Sequence, residues 1–296
     1  MKPTPKAHQT RRYFLPGPSH WPLVGSIGLF CLALSVANLV HGNVIGHYLF
    51  FAGALLLVYM MFGWFSTVIN ESMQGLHSSQ MDRTYRWAMA WFITSEVAFF
   101  GLFFGALFYA RHFIVPVLGG EIAPHSTHTL LWPQFQAAWP LLNNPNPRLF
   151  PGPREVIATF GIPALNTFLL LSSAAVLTWA HWGLKNNQRT RVNIGMLITI
   201  GLGITFLCMQ AFEYHEAYTQ LNLTLHSGIY GTTFFMLTGF HAAHVTLGLI
   251  MLTVILVRCL KGHFQPEHQF AFEAVSWYWH FVDVVWLFLF VFVYWL

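Results

Sequence analysis

Long apolar runs separated by short polar breaks make up most of this sequence. A helix needs roughly 20 apolar residues to cross the ~30 Å hydrocarbon core of a bilayer. Seven runs meet that length, at about 22–41, 47–69, 88–110, 157–181, 192–212, 229–257 and 274–296. The break between the first two is the weakest, since only HGNVIGH interrupts the apolar pattern. The pattern therefore predicts an all-α integral membrane protein with seven transmembrane helices in one domain, 1–296.

The longest polar stretch, 112–156, lies between the third and fourth predicted spans. It contains PHSTHTLLWPQ and NNPNPRLFPGP and has neither a helical nor a strand period. Pro and Asn at this density favour turns and loops. We predict a long loop on the outer side, and we assign no function to it.

Composition supports the membrane assignment, because 55% of the residues are hydrophobic and only 8% are charged. A soluble domain carries about 25% charged residues. The basic residues form no cluster typical of nucleic-acid binding. The three cysteines lie in or beside apolar runs, without the spacing of a metal site or a disulfide framework.

The distribution of Lys and Arg predicts the orientation, since cytoplasmic loops carry the excess of these residues. No small-residue cleavage site follows the first apolar run, so we expect it to be retained. With a cytoplasmic N-terminus, Leu296 lies outside and only Arg111, Arg148 and Arg154 are on the outer side. The cytoplasmic side then holds Lys2, Lys6, Arg11, Arg12, Arg83, Arg86, Lys185, Arg189, Arg191, Arg258 and Lys261.

One carboxylate, Glu96, interrupts the apolar run WFITSEVAFFGLFFGALFYA, 91–110. A charge near the bilayer centre costs roughly 2.5–3.5 kcal/mol on insertion scales. With Arg86 at the inner boundary, Glu96 lies ~15 Å into the membrane along a helix. It is either a structural acid that Thr94 and Ser95 satisfy locally or a functional one. We favour the functional interpretation, which is the default for acids at this depth.

Two histidines, His241 and His244, are three residues apart in GFHAAHVTLG and share one helix face. Zinc and haem sites need more convergent ligands than two. We therefore predict no metal site and expect hydrogen bonds between helices or to lipid headgroups.

The C-terminal run FEAVSWYWHFVDVVWLFLFVFVYWL places His280 and Asp283 on one face of an apolar helix. We predict a structural polar pair there rather than a proton relay, since pairing relieves the cost of burying either group. Glu213 and Glu216 in MQAFEYHEA end the fifth predicted span. We expect them to form a solvated acidic rim or a docking surface. None of these groups is predicted to be catalytic.

Several stretches resemble, in order, blocks of subunit III of haem–copper cytochrome c oxidase of the aa3 type. They are WPLVG, ITSEVAFF around Glu96, NTFLLLSSAAVLTWAH, MQAFEYHEA, GIYGTTFFMLTGFHAAHVTLG and the C-terminal run, which together extend over 21–296. The seven predicted spans agree with the seven of that family.

The resemblance implies two groups of helices, the first two and the last five, separated by a cleft that holds phospholipids. It implies a chain without a redox centre, in a complex whose haem a, haem a3 and copper lie in partner subunits. Subunit I would be the main contact and subunit II a further partner. The chain would sustain oxygen reduction by ferrocytochrome c and support proton uptake. The membrane would be the bacterial plasma membrane or, alternatively, the mitochondrial inner membrane.

The resemblance also implies roles for particular residues. Glu96 matches the family's buried, neutral glutamate. Where many members read WWRDVIRES, this chain reads WFSTVINES, so Ser66 and Asn70 replace two arginines. Headgroup binding at that helix end is then expected to be weaker or differently arranged. The positions that match the surroundings of lipid headgroups are Glu71, His77, His244, Arg258, Lys261 and His263.

Two other classes of protein are weighed against this one. A proton-coupled transporter would use Glu96, but such proteins show internal repeats and broken helices, which are not apparent here. A membrane metalloenzyme would use His241 and His244 as ligands.

Overall fold

The computed structural model describes residues 17–264 and 269–296. All regular secondary structure in these two ranges is helical. Lys2, Lys6, Arg11 and Arg12, on which part of the predicted orientation depends, lie outside the described residues.

Seven of the described helices are long and apolar enough to cross a membrane, which confirms the predicted all-helical architecture. α3 continues through a π-helical turn, Ala110–Ile114, to Leu118, and α7 continues through a second such turn, Phe290–Trp295. The seven helices are α1 Trp21–Val40, α2 Ile45–Met73, α3 Ser79–Tyr109, α4 Ile162–Lys185, α5 Arg189–Thr219, α6 Gly228–Leu260 and α7 Phe270–Leu289.

Several helices extend beyond the apolar runs that predict them. α3 begins at Ser79, whereas the apolar run begins at 88, and α5 ends at Thr219 rather than at 212. The added turns are polar, and Arg86 Nε binds Asp82 Oδ2 at 3.0 Å across one turn of α3. Hydrophobicity marks the part of a helix that lies in lipid, while such i, i+4 pairs stabilise the turns beyond it.

The chain divides into two compact units, one ending at Trp87 and the other comprising Ala88–Leu296. In the first unit α1 and α2 approach closely at glycines. A Cβ on Gly53 would lie 2.9 Å from the carbonyl oxygen of Gly28. Ser35 Oγ donates a 2.7 Å hydrogen bond to the carbonyl of Gly46 on the other helix. Small residues of this kind allow membrane helices to pack through their backbones.

The core of the second unit forms around α7, whose Trp279 and Trp286 are fully buried. Trp279 Nε1 donates to Ser173 Oγ of α4 at 2.9 Å. Gly203 of α5 and Gly248 of α6 leave room for the indole, since a Cβ on either would come within 2.8 Å of it. A buried indole N–H needs an acceptor, and Ser173 supplies it. This packing fixes α7 against α4, α5 and α6.

The segment between α3 and α4 folds against the connection between α5 and α6. The Asn144 side-chain amide donates to the carbonyl of Ser227 at 3.1 Å, and Arg154 N donates to the carbonyl of Leu221 at 2.8 Å. Apart from a short helix, Ser126–Leu131, the segment is irregular. Contacts with another loop, and little secondary structure of its own, therefore hold its backbone in place.

Candidate functional site

The acid in the third span has a partner on another helix. Glu96 Oε2 of α3 lies 2.8 Å from Nε2 of His244, which is at the middle of α6. The two side chains are 20% and 13% exposed, respectively. The cost of placing a carboxyl group at this depth is therefore offset by an interhelical hydrogen bond.

The His244 ring is held on several sides. Its Nδ1 lies 2.6 Å from the carbonyl oxygen of Phe240, one turn earlier in α6. The Phe100 ring centroid is 4.9 Å away, and the Tyr278 ring stacks at 6.4 Å. Tyr278 also donates its hydroxyl to the backbone carbonyl of His244 at 3.2 Å. The imidazole is consequently fixed in position and orientation where it meets Glu96.

Local hydroxyl groups do not satisfy Glu96. Thr94 and Ser95 each donate to a backbone carbonyl of their own helix, at 2.9 and 2.6 Å. Hydroxyl groups in apolar helices commonly bond back to the preceding turn in this way. The geometry therefore does not support the alternative in which Thr94 and Ser95 satisfy the carboxyl group of Glu96.

His244 is to be removed from the lipid-contacting set, the residues that the resemblance places around lipid headgroups. Both of its ring nitrogens have protein partners, and it lies at the centre of its helix rather than at an end. No ring nitrogen is left to bind a headgroup. Its place is in the Glu96 pair, and the resemblance alone did not indicate that contact.

The neighbouring His241 faces a different environment. It is buried, its Nε2 donates to the carbonyl oxygen of Val282 at 3.1 Å, and its ring packs beside Phe206 and Trp286. The two histidines thus share a helix face in the sequence pattern but bind separate partners. Within the described residues, no group of three or more His, Cys, Asp or Glu side chains is placed to hold a metal ion.

His280 and Asp283 do not form the predicted polar pair. His280 Nε2 lies 3.4 Å from Thr178 Oγ1 of α4, so this histidine finds its partner across the helix interface. Asp283 is buried, and its Oδ1 has no hydrogen-bond partner among the described residues. No hydrogen bond or ion pair between His280 and Asp283 occurs in the described part of the chain. The i, i+3 spacing permits a contact, but His280 forms its hydrogen bond with the hydroxyl group of Thr178 instead.

The C-terminal end of α6 carries a buried arginine. Arg258 is only 9% exposed, and its Cζ lies 4.6 Å from the ring centroid of Phe264. Among the described residues, its Nε has no hydrogen-bond partner and no acid forms an ion pair with it. Lys261 is exposed close by, and the buried Nδ1 of His263 also lacks a partner within the described ranges. This end of the helix can accept an anionic group.

The remaining members of the lipid-contacting set lie in the first unit. His77 Nε2 is 3.8 Å from Glu71 Oε2, and both side chains are about one-fifth exposed. Ser66 Oγ donates to the carbonyl of its own helix at 2.7 Å, and Asn70 is exposed. At the two positions where the resemblance leads us to expect arginines, this chain therefore has uncharged side chains.

Sequence reasoning missed a polar cluster around Glu213, which was expected to lie on a solvated rim. Glu213 is only 2% exposed, and its Oε1 accepts hydrogen bonds from the Tyr294 hydroxyl at 2.6 Å and from Gln210 Nε2 at 3.1 Å. Asn166 of α4 donates to Gln210 Oε1 at 3.4 Å. The expectation was wrong because α5 continues to Thr219, which places Glu213 inside the bundle. The i, i+3 spacing of Gln210 and Glu213 is the sequence feature from which their hydrogen bond could have been predicted.

Comparison with known proteins covers almost the whole chain. A family model described as cytochrome c oxidase subunit III matches residues 11–145 and 148–296. The chain is 40% identical to cytochrome c oxidase subunit 3 of Equus caballus over 289 residues, which is 97% of this chain and 98% of that protein. It is 41% identical to the subunit 3 of Pongo abelii over 290 residues, and 39% identical to that of Formosania lacustris over the same length. Each of these two matches covers 98% of this chain and 98% of the relative.

Proposed function

The chain belongs to the cytochrome c oxidase subunit III family, and from this premise we propose that it holds phospholipids beside the catalytic subunit and supports proton uptake and sustained turnover. It is a multi-pass membrane protein and a subunit of cytochrome c oxidase, in complex with other oxidase subunits. Subunit I as the main contact, and subunit II as a second partner, are part of the proposal.

The redox centres are proposed to lie in the partner subunits. Haem a, haem a3 and copper need convergent ligand sets, and both ring nitrogens of His244 are already bound within this chain. A visible and pyridine-haem spectrum tests this assignment. Haem a should be present in the purified complex and absent from the separated chain. One metal ion per chain, retained after chelation, would contradict it.

The observation that carries the lipid-holding function is the buried guanidinium of Arg258. A buried charge without a partner is costly, and among the described residues no acid pairs with Arg258. A phosphate group satisfies a guanidinium with two parallel hydrogen bonds. Lys261 and His263 lie beside it, and a basic residue near an anionic membrane surface contributes about 1 kcal/mol. A phospholipid headgroup fits this charge and this position at a cytoplasmic helix end.

Replacing Arg258 tests the proposal. Arg258→Ala should loosen a bound phospholipid and shorten the working life of the oxidase, while its initial rate stays nearly normal. The measurements are the phospholipid content of the purified complex by mass spectrometry and the decay of oxygen consumption over successive turnovers. Arg154→Ala, which removes an exposed arginine on the opposite side, is the control. Unchanged lipid content together with unchanged inactivation would count against the proposal.

The proton-supporting function is supported by the hydrogen-bonded pair of Glu96 and His244 at mid-membrane depth. Intramembrane acids with a titratable partner commonly mark proton pathways. The transporter and the His-ligated metalloenzyme are set aside, because family membership extends over nearly the whole chain.

We propose a cytoplasmic N-terminus, an external Leu296 and the bacterial plasma membrane, with the mitochondrial inner membrane as the alternative. Eleven of the fourteen Lys and Arg residues fall on the inner side in this orientation. Tags at the two ends of the chain test it in intact cells or mitoplasts. Only the C-terminal tag should react with an impermeant reagent, and reaction of the N-terminal tag would contradict the orientation.

A further inference from the structure

The hydrogen bond between His244 and its own helix determines where the imidazole can carry a proton. A backbone carbonyl oxygen only accepts hydrogen bonds. The 2.6 Å contact between His244 Nδ1 and the carbonyl of Phe240 therefore requires a hydrogen on Nδ1. The other nitrogen, Nε2, is the one that faces Glu96.

This requirement leaves two forms of the Glu96–His244 contact. Either a protonated Glu96 donates its O–H to the lone pair of Nε2, or a doubly protonated His244 donates Nε2–H to a carboxylate. Both forms place one proton between the two atoms, and both are neutral as a whole. Without that proton, two acceptors would face each other at 2.8 Å, which is repulsive. The pair thus holds a single proton wherever this geometry persists.

The surroundings favour the form with a neutral carboxyl. An ionised carboxylate has about four lone-pair sites to satisfy, yet Glu96 Oε1 accepts no hydrogen bond from any described residue. The rings of Phe99, Phe100 and Tyr278 pack against the His244 imidazole. The Tyr278 hydroxyl donates to a backbone carbonyl and not to the carboxyl group. Two separated charges in these surroundings would be poorly solvated.

We propose that His244 is the positioning residue of the intramembrane acid: it holds Glu96 as a neutral carboxylic acid whose proton lies in the bond to His244 Nε2. The assignment deepens the proposed function, because it rests on Glu96 supporting proton supply and adds a second residue to that site. Phe240 contributes only its backbone carbonyl, and the Tyr278 ring stacks against the imidazole. The pair is then a store for one proton, which can leave only if the contact between Glu96 Oε2 and His244 Nε2 opens.

Infrared spectroscopy of the assembled oxidase tests the proposal. The difference between the wild-type and Glu96→Gln complexes should contain a carboxylic acid C=O band at the low frequency of a strongly hydrogen-bonded acid. His244→Leu removes the acceptor, so this band should move to higher frequency. His244→Gln places an amide oxygen near the position of Nε2 and should move the band back. A change in packing alone would not produce this reversal.

Two results would overturn the proposal. Carboxylate bands in place of the acid band in the wild-type difference would put the proton on His244. An acid band that does not respond to either His244 substitution would remove the positioning role. If His244→Leu fails to assemble, His244→Ala removes the same acceptor, and its band is read in the same way. Wild-type proton pumping in Glu96→Gln would contradict the proposed function but leave the band assignments standing, so the two failures can be told apart.

Discussion

Two buried acids in the second unit differ in what surrounds them. Glu96 makes one hydrogen bond to one other helix, and its side chain is 20% exposed. Glu213 is only 2% exposed and lies in a cluster of polar groups from α4, α5 and the C-terminal turn of α7. The two carboxyl groups therefore differ both in exposure and in the number of polar groups around them.

The difference lies in the number and kind of partners. The partners of Glu213 are a phenol and an amide, which do not exchange protons near neutral pH, so the cluster joins helices. The partner of Glu96 is an imidazole, the side chain that most readily gains or loses a proton in that range. We interpret Glu213 as a structural acid and Glu96 as a proton-holding one, and the following predictions can break that distinction.

The largest effect is expected from Glu213→Leu. The substitution leaves the Tyr294 hydroxyl and the Gln210 amide buried without their acceptor, and each such group costs about 1–3 kcal/mol. The variant chain should dissociate from the solubilised complex at a clearly lower temperature, or fail to assemble. Glu213→Gln keeps an acceptor oxygen and should be much milder. Glu216→Leu, at a partly exposed position one turn later, is the matched control. Equal stability of Glu213→Leu and Glu216→Leu would contradict the structural role.

A smaller effect is expected from Tyr294→Phe. It removes one hydrogen bond to Glu213, worth about 1 kcal/mol, and leaves the bond from Gln210 in place. The temperature at which the chain dissociates should fall by less than in Glu213→Leu, with oxygen consumption unchanged. A loss as large as that of Glu213→Leu would mean that the phenol, and not the carboxyl group, holds the cluster together.

Hydrophobic carbodiimides should react with Glu96 and not with Glu213. These reagents react with protonated carboxyl groups that are reachable from lipid. Glu96 should therefore be modified in preference to the exposed acids Glu121 and Glu155, while the enclosed Glu213 should be spared. Peptide mass spectrometry of the treated complex measures the sites. Modification of Glu213 to the same extent as Glu96 would remove the distinction in accessibility.

The helices were predictable from hydrophobicity because lipid imposes a length requirement that soluble proteins lack. Their ends were not, since the polar turns at Ser79 and before Thr219 lie beyond the lipid-soluble part. That error placed Glu213 on a rim. The identity of the acid at membrane depth, Glu96, was also evident from the sequence, because an isolated carboxyl group in an apolar run is conspicuous.

The partners of these acids were not predictable from one chain. His244 is 148 residues from Glu96, and spacing along one helix gives no information about contacts between helices. His280 illustrates the same limit, since its i, i+3 neighbour Asp283 was the obvious partner and Thr178 of α4 is the observed one. Within the described residues, interhelical polar contacts depend on the packing of large side chains such as Trp279.

The most direct test of the account is oxygen consumption and proton pumping in an assembled Glu96→Gln oxidase. Glutamine preserves the shape of the side chain, so the complex should assemble. A supporting subunit assists proton supply without carrying the chemical protons alone. Most of the oxygen consumption should therefore be retained, while the number of protons pumped per electron falls, more so at high pH, where protons are scarce. Complete loss of oxygen consumption would contradict it, because Glu96 would then lie on the only path for the protons that form water.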